Sequence, residues 1–395
     1  MPLAGQKGAT VRDLVDIGMG RTARRTFELD DLSIVPSRRT RSSKDVSTAW
    51  QIDAYRFESP ILSHPTDALV SPATAIALGK LGALGVINGE GLWARHRDVE
   101  AKIDELIAVA TGNPDPSAAV RFLQQLHSAP LDIGLLRESV ATVREAGVTT
   151  AVRVSPQHAL ELTPALLEAG VELLVVHGTI ISAEHVAQAD PDGAVREPLN
   201  LKTFIADLDI PVIAGGVHDH RTALHLMRTG AAGVIVGYGS ARGATTTAEV
   251  LGIGVPMATA IADAAAARRD YLDETGGRYV HVIADGDIHN SGDLAKAIAC
   301  GADAAVLGTP LAAAAEAPGR GWYWPSAAAH PDTPRGALLQ VATEEDRPSL
   351  ESVLNGPSQD PFGELNLVGA LRRSMAKAGY SDLKEFQKVG LTVHA

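Results

Sequence analysis

One pattern constrains this chain more than any other. A short apolar run ends in Gly or a polar residue, gives way to an amphipathic Ala/Leu-rich stretch, and the unit then recurs along the sequence. The apolar runs lie at Pro60–Ser63, Gly85–Asn88, Thr149–Ser155, Val171–Val176, Pro211–Gly215, Ala232–Val236, Tyr279–Ala284 and Ala304–Leu307. They are rich in Val and Ile without polar alternation, as parallel strands buried on both faces must be. Helical stretches at Pro72–Leu81, Pro164–Ala169, His220–Thr229, Thr259–Asp270 and Gly292–Cys300 fill the gaps. Eight such units predict an α/β fold, a closed (β/α)8 TIM barrel. Composition fits that core: 45% of the 395 residues are hydrophobic but only 4% are aromatic.

Two regions break the rhythm. Gly89 to Gly147 holds extra helical stretches (Arg97–Thr111, Pro116–Leu126, Ile133–Glu145) where a short connection after the second strand would suffice. Gly319 to Leu365, after the eighth strand, is rich in Pro, Trp and Gly and reads as an ordered flap. The predicted organisation is an N-terminal segment with the first strands (1–88), a helical insertion (89–148), the remaining barrel (149–318), the flap (319–365) and a helical tail (366–395).

Net charge is −12, which disfavours a broad nucleic-acid surface or an anionic membrane face, and Ser37–Arg41 reads as a solvated basic loop. A single cysteine, Cys300, excludes a disulfide framework and a cysteine-based zinc site, and no metal ligand set is expected. No apolar run approaches the ~20 residues that span a bilayer. The N-terminus has no apolar leader pattern, so a cytoplasmic protein is expected.

Ligands of a parallel barrel bind at the C-terminal ends of its strands. That rule ranks Asp285, directly after the seventh strand, as a carboxylate able to accept both hydroxyls of a ribose. Gly308 and Thr309, after the eighth strand, open a helix whose N–H groups suit a phosphate. His177, His289 and His330 fall on the mouth or the flap as candidate acid–base groups. Cys300 precedes the eighth strand, so its turn faces the other end of the barrel and its role is packing.

The run Val212–Val217, Gly233–Gly237, Val255–Asp263, Val282–Asp293 and Gly301–Gly308 resembles the IMP dehydrogenase/GMP reductase family. The likeness extends to Phe27–Pro36, Ser63–Asn88 and Asn366–Tyr380. The insertion sits where the family's dehydrogenases carry a paired CBS module but is too short for one, so the chain looks like the actinobacterial-type, IMP-dehydrogenase-related branch without CBS domains. The resemblance implies an oxidoreductase acting on a purine nucleotide of the IMP/XMP type with NAD, in guanine nucleotide metabolism. It also implies a homotetramer. It assigns Asp285 to ribose, Gly308 and Thr309 to the 5′-phosphate, and Ser63, Gly243 and Gly286 to the nucleotide.

Several mouth positions depart from the family. Its loop after strand 6 carries a nucleophilic Cys, and counting back from Gly252–Pro256 puts Thr245 there, where an unactivated hydroxyl cannot stand in for a thiolate. Gly243 replaces a phosphate-binding Ser, Gly286–Asp287 replaces paired glycines, and His177 replaces the Asp that faces the nicotinamide. Without the thiol, water would have to attack the purine directly, with His289 or Asp287 as base. Two other readings stay open: a catalytically inactive nucleotide-binding partner assembling with a true IMP dehydrogenase, and a GMP reductase.

Overall fold

The computed structural model describes residues 14–178, 184–185, 199–239, 248–286, 288–330 and 335–394. Eight parallel strands form one sheet. They are β1 (Ile61–Ser63), β2 (Val86–Asn88), β3 (Ala151–Val154), β4 (Leu173–His177), β5 (Val212–Val217), β6 (Gly233–Val236), β7 (His281–Ala284) and β8 (Ala304–Leu307). Neighbours in space follow chain order, with β8 beside β1, and a Leu62–Leu84 bridge closes the ring between β1 and β2. The fold is the expected (β/α)8 barrel. Its strands are buried along nearly every residue because helices cover the outside and side chains fill the centre.

The covering helices include α1 (Pro72–Lys80), α5 (Ala159–Ala169), α6 (His220–Met227), α7 (Met257–Thr275) and α8 (Ser291–Ala299). Helix α5 begins five residues before the Pro164 start read from sequence, and Pro164 lies inside it. An interior proline costs a helix about 3 kcal/mol. Burial of Ala159, Leu162 and Leu166 against the barrel keeps the helix intact. The start of α8 also differs. It begins at Ser291, one residue before the Gly292 start read from sequence, and its cap is Asn290, whose side chain accepts the Asp293 N–H while the Asp293 carboxylate accepts the Asn290 N–H.

Between β2 and β3 lie α2 (Val99–Gly112), α3 (Pro116–His127) and α4 (Ile133–Glu145). Helix α4 packs on α1 and α5 and so takes the barrel's own helix position. Helices α2 and α3 pack on each other, and α3 also meets the Ser326–Ala329 turn after strand 8. There Gln124 Nε2 donates to the His330 carbonyl at 2.6 Å, and Arg320 pairs with Asp104.

At the N-terminal end of the barrel, Asp303 ties four segments together. Its Oδ2 accepts from Arg268 Nη1 at 2.6 Å and from the Val282 N–H at 2.9 Å. Its Oδ1 accepts from the Tyr279 hydroxyl at 2.6 Å and Gln387 Nε2 at 3.1 Å. Replacing Asp303 by Ala leaves a buried guanidinium without its carboxylate and should cost about 3–5 kcal/mol. Urea denaturation checks this, and a loss below about 1 kcal/mol would contradict it.

Candidate active site

The mouth is organised around Asp285. Its backbone N–H extends the β6–β7 ladder to the Val236 carbonyl at 2.7 Å, which holds the residue at the strand end with 2% exposure. Oδ2 lies 3.5 Å from His64 Nδ1, in the loop after β1, and 3.5 Å from His177 Nε2, the last residue of β4. These lengths exceed good hydrogen bonds, and all three atoms are buried without a hydrogen-bond partner. Burial pushes the His177 imidazolium down to a pKa of about 4 against the attraction of Asp285, so at neutral pH its ring is uncharged. Tyr323 packs near the His64 ring, with centroids 6.4 Å apart, and burial first, then Asp285, raise its phenol.

A small cavity of about 10 Å³, room for about one water, lies here. Its walls include His64, Asp285, Gly286, His289, Gly308 and Thr309. The structure therefore gathers Asp285, Gly286, His289, Gly308 and Thr309, five of the residues singled out from sequence, in one place. His289 Nδ1 sits 3.4 Å from Thr309 Oγ1, and its backbone N–H donates to Asp293 Oδ2, within the cap of α8. A second, larger cavity of about 320 Å³ lies at the opposite barrel end beside Asp209, Arg278 and His281. It faces the N-terminal ends of the strands, where parallel barrels do not do chemistry.

Other expected site residues stand elsewhere. The Ser63 hydroxyl accepts the Val86 N–H at 2.8 Å, within the β1–β2 seam, and Ser63 does not line the cavity. His177 reaches the centre but behind Asp285, outside the cavity wall. Thr245, Gly243 and Asp287 lie outside the described residues. His330 sits at the seam between flap and insertion. Cys300 ends α8 at the far side of the barrel, where burial pushes its thiol up to about 11. Among the described residues, no group of three His, Cys, Asp or Glu side chains is arranged for a metal ion.

Sequence reasoning missed His64 and Tyr323. His64 directly follows β1, so the strand-end rule that selected Asp285 applies equally to it. Tyr323 comes from a segment with no barrel periodicity, and only the fold reveals it. Also unforeseen is His218, just past β5, whose two ring nitrogens are buried without partners and whose ring stands edge-on to Tyr238 at 4.9 Å.

Beside this centre, Glu90 follows β2 and faces Arg153 on β3 (3.7 Å) and His158 (3.2 Å). Arg153 in turn donates to the His177 carbonyl at 2.8 Å, which braces the end of β4. Burial alone would raise the Glu90 pKa, but Arg153, His158 and the Ser155 N–H together lower it from 4.5 to about 2. The folded pKa is the lower one, so this pairing stabilises the fold above about pH 4.5. That stabilisation fades as pH falls through 4.5 towards 2. At about 1.4 kcal/mol per unit it amounts to about 3 kcal/mol. Glu90→Gln should lower stability at pH 7 by about that amount and flatten the loss between pH 5 and 3, measured by urea denaturation across pH. An unchanged pH slope would contradict the assignment.

Residues 26–336 match the IMP dehydrogenase / GMP reductase domain. An uncharacterized oxidoreductase of Mycolicibacterium smegmatis is 76% identical over 380 residues, covering 96% of this chain and 100% of its own. Inosine-5′-monophosphate dehydrogenase of Methanocaldococcus jannaschii is 25% identical over 471 residues, covering 93% of this chain and 92% of its own. The crystal structure of an IMP dehydrogenase/GMP reductase-like protein from Corynebacterium glutamicum matches with a TM-score of 0.89 and 58% identity, covering 97% of this chain and 98% of that one. With the barrel, the match across 26–336 and these relatives, the chain belongs to the IMP dehydrogenase/GMP reductase family.

Proposed function

We propose that this protein oxidises a purine nucleoside monophosphate of the IMP type, with NAD as the hydride acceptor. The observation that carries the reading is the mouth cavity. A carboxylate (Asp285) and a strand-to-helix turn (Gly308–Thr309) line the same small cavity, which sets a group suited to ribose hydroxyls beside one suited to a phosphate. The carboxylate accepts hydroxyl hydrogens, and the turn presents backbone N–H groups to the anion.

The nicotinamide end also finds suitable partners. His177 Nε2 and both ring nitrogens of His218 are buried polar atoms without partners at the ends of the adjacent strands β4 and β5. Neutral imidazoles offer one donor and one acceptor each, which is what a carboxamide needs. His218 would hold that group, with His177 kept behind Asp285, and NAD when bound would supply the acceptor for a hydride. Homotetramer formation and a cytoplasmic site of action accompany this reading as family expectations.

A second reading, a nucleotide-binding partner without turnover, draws on a specific observation. The single thiol lies at the wrong end of the barrel, with its pKa pushed up to about 11. Calorimetric titration with IMP, XMP, GMP and AMP, each with and without NAD, separates the two, followed by NADH absorbance under turnover. The expected result is binding of one nucleotide, strengthened by NAD and accompanied by NADH formation. Asp285→Asn should weaken that binding roughly 10–100-fold, as loss of a hydrogen bond to a charged group does. Binding without turnover favours the partner reading, and no binding at millimolar nucleotide overturns both.

A further inference from the structure

We infer that the larger cavity, at the N-terminal end of the barrel, is a binding site for a small zwitterion with an apolar body, of the class of free α-amino acids with aliphatic side chains. The site is separate from the mouth, and the inference does not depend on the function proposed above.

Size and lining carry it together. The cavity measures about 320 Å³, within the range of roughly 300–1,000 Å³ that small-molecule sites occupy. Strand β7 begins on its wall at His281 and ends at Ala284, next to Asp285, so about 13 Å of strand separates it from the mouth. Part of the wall is aliphatic, from Ile205, Leu208 and Ile210. Three charged side chains, Asp53, Asp209 and Arg278, share that wall, and none of them forms an ion pair among the described residues. Their charges are therefore unspent within the chain. Burial lowers the pKa of His281, so its ring adds no charge at neutral pH.

The charged groups are also held in place before any ligand arrives. Arg278 Nη2 donates to the Gly230 carbonyl at 2.7 Å, and the Arg278 N–H donates to Thr275 Oγ1 at 3.1 Å. Of the five donors of a guanidinium, most remain available. Asp53 sits at the turn of the hairpin formed by Trp50–Ile52 and Tyr55–Phe57, with a φ of 52°. Gln51 Nε2 donates to the Asp53 carbonyl at 2.8 Å, Trp50 stacks on Phe57 at 5.3 Å, and Ile52 is fully buried. A wall fixed in this way spends little of its binding energy on ordering itself.

The balance of charge selects the ligand class. Two carboxylates repel a phosphorylated compound, and Arg278 repels the second ammonium of a diamine. A neutral apolar compound would cover all three charges without answering any. A zwitterion answers each of them: its ammonium faces the aspartates, its carboxylate faces Arg278, and its aliphatic chain lies on Ile205, Leu208 and Ile210.

The test is calorimetric titration of the full chain with L-leucine, without nucleotide. The expected Kd is below about 1 mM, and weaker binding overturns the inference. Glycine carries the same charges without the apolar body and should bind at least about tenfold more weakly than leucine. Equal binding of the two overturns the role of the aliphatic wall. Arg278→Gln and Asp209→Asn should each weaken leucine binding about 10–100-fold, as loss of a hydrogen bond to a charged group does. Both side chains are exposed, so the variants should unfold thermally as wild type does, and Asp53→Asn provides a further check should either fail to fold. Leucine affinity unchanged in these variants places the binding elsewhere and overturns the assignment. Inorganic phosphate and the diamine cadaverine are the contrasting probes, and tighter binding of either than of leucine overturns the zwitterion class.

Discussion

The seam between β1 and β2 is where this barrel closes, and the position of the mouth depends on how it does so. Strand β1 is three residues long, and its ladder to the second unit is a single bridge at Leu62–Leu84. The Ser63 side chain supplies what the backbone lacks, accepting the Val86 N–H at 2.8 Å. The next residue is His64. Its backbone N–H donates back to Leu307 in β8 at 2.9 Å, so the chain leaves the barrel with the imidazole already turned towards the neighbouring strand ends. A buried hydroxyl that closes a sheet is thus also what sets the ring against Asp285.

The segment that follows is pinned from outside. Thr66 Oγ1 donates to the Trp324 carbonyl at 2.6 Å, and Ser326 Oγ donates to the Pro65 carbonyl at 2.9 Å. Asp67 accepts from His127 at the end of α3 at 3.1 Å and from the Leu92 N–H at 3.0 Å. The insertion thereby gains a structural purpose. Its helices α2 and α3 buttress the post-barrel segment, which in turn lays Tyr323 and Trp324, both essentially inaccessible, over the β1 loop. A mouth buttressed this way is pre-organised.

The barrel was legible in the sequence because parallel strands buried on both faces carry an unbroken apolar signature, and the eight runs proposed correspond to the eight strands found. Boundaries slipped where a local rule met tertiary packing. Pro164 looked like a helix start, but the buried face of α5 outweighed it. Helix α8 starts at Ser291 rather than Gly292 because the Asn290 side chain reaches the third N–H of that helix and caps it there. At the mouth, the strand-end rule gathered Asp285, His289, Gly308 and Thr309 correctly into one cavity. It could not anticipate that the Ser63 hydroxyl would be spent within the barrel wall. Nor could it find Tyr323, since periodicity says nothing about where an irregular segment returns. The Asp285 contacts to His64 and His177 join positions far apart in sequence, which only the closed barrel brings within 3.5 Å of one oxygen.

The most direct test of this account is a crystal structure of the protein with a bound purine nucleoside monophosphate. The account predicts the ribose hydroxyls within hydrogen-bond distance of Asp285 and the phosphate on the N–H groups of Gly308 and Thr309. A nucleotide bound elsewhere, or a mouth that stays empty at saturating nucleotide, would contradict it.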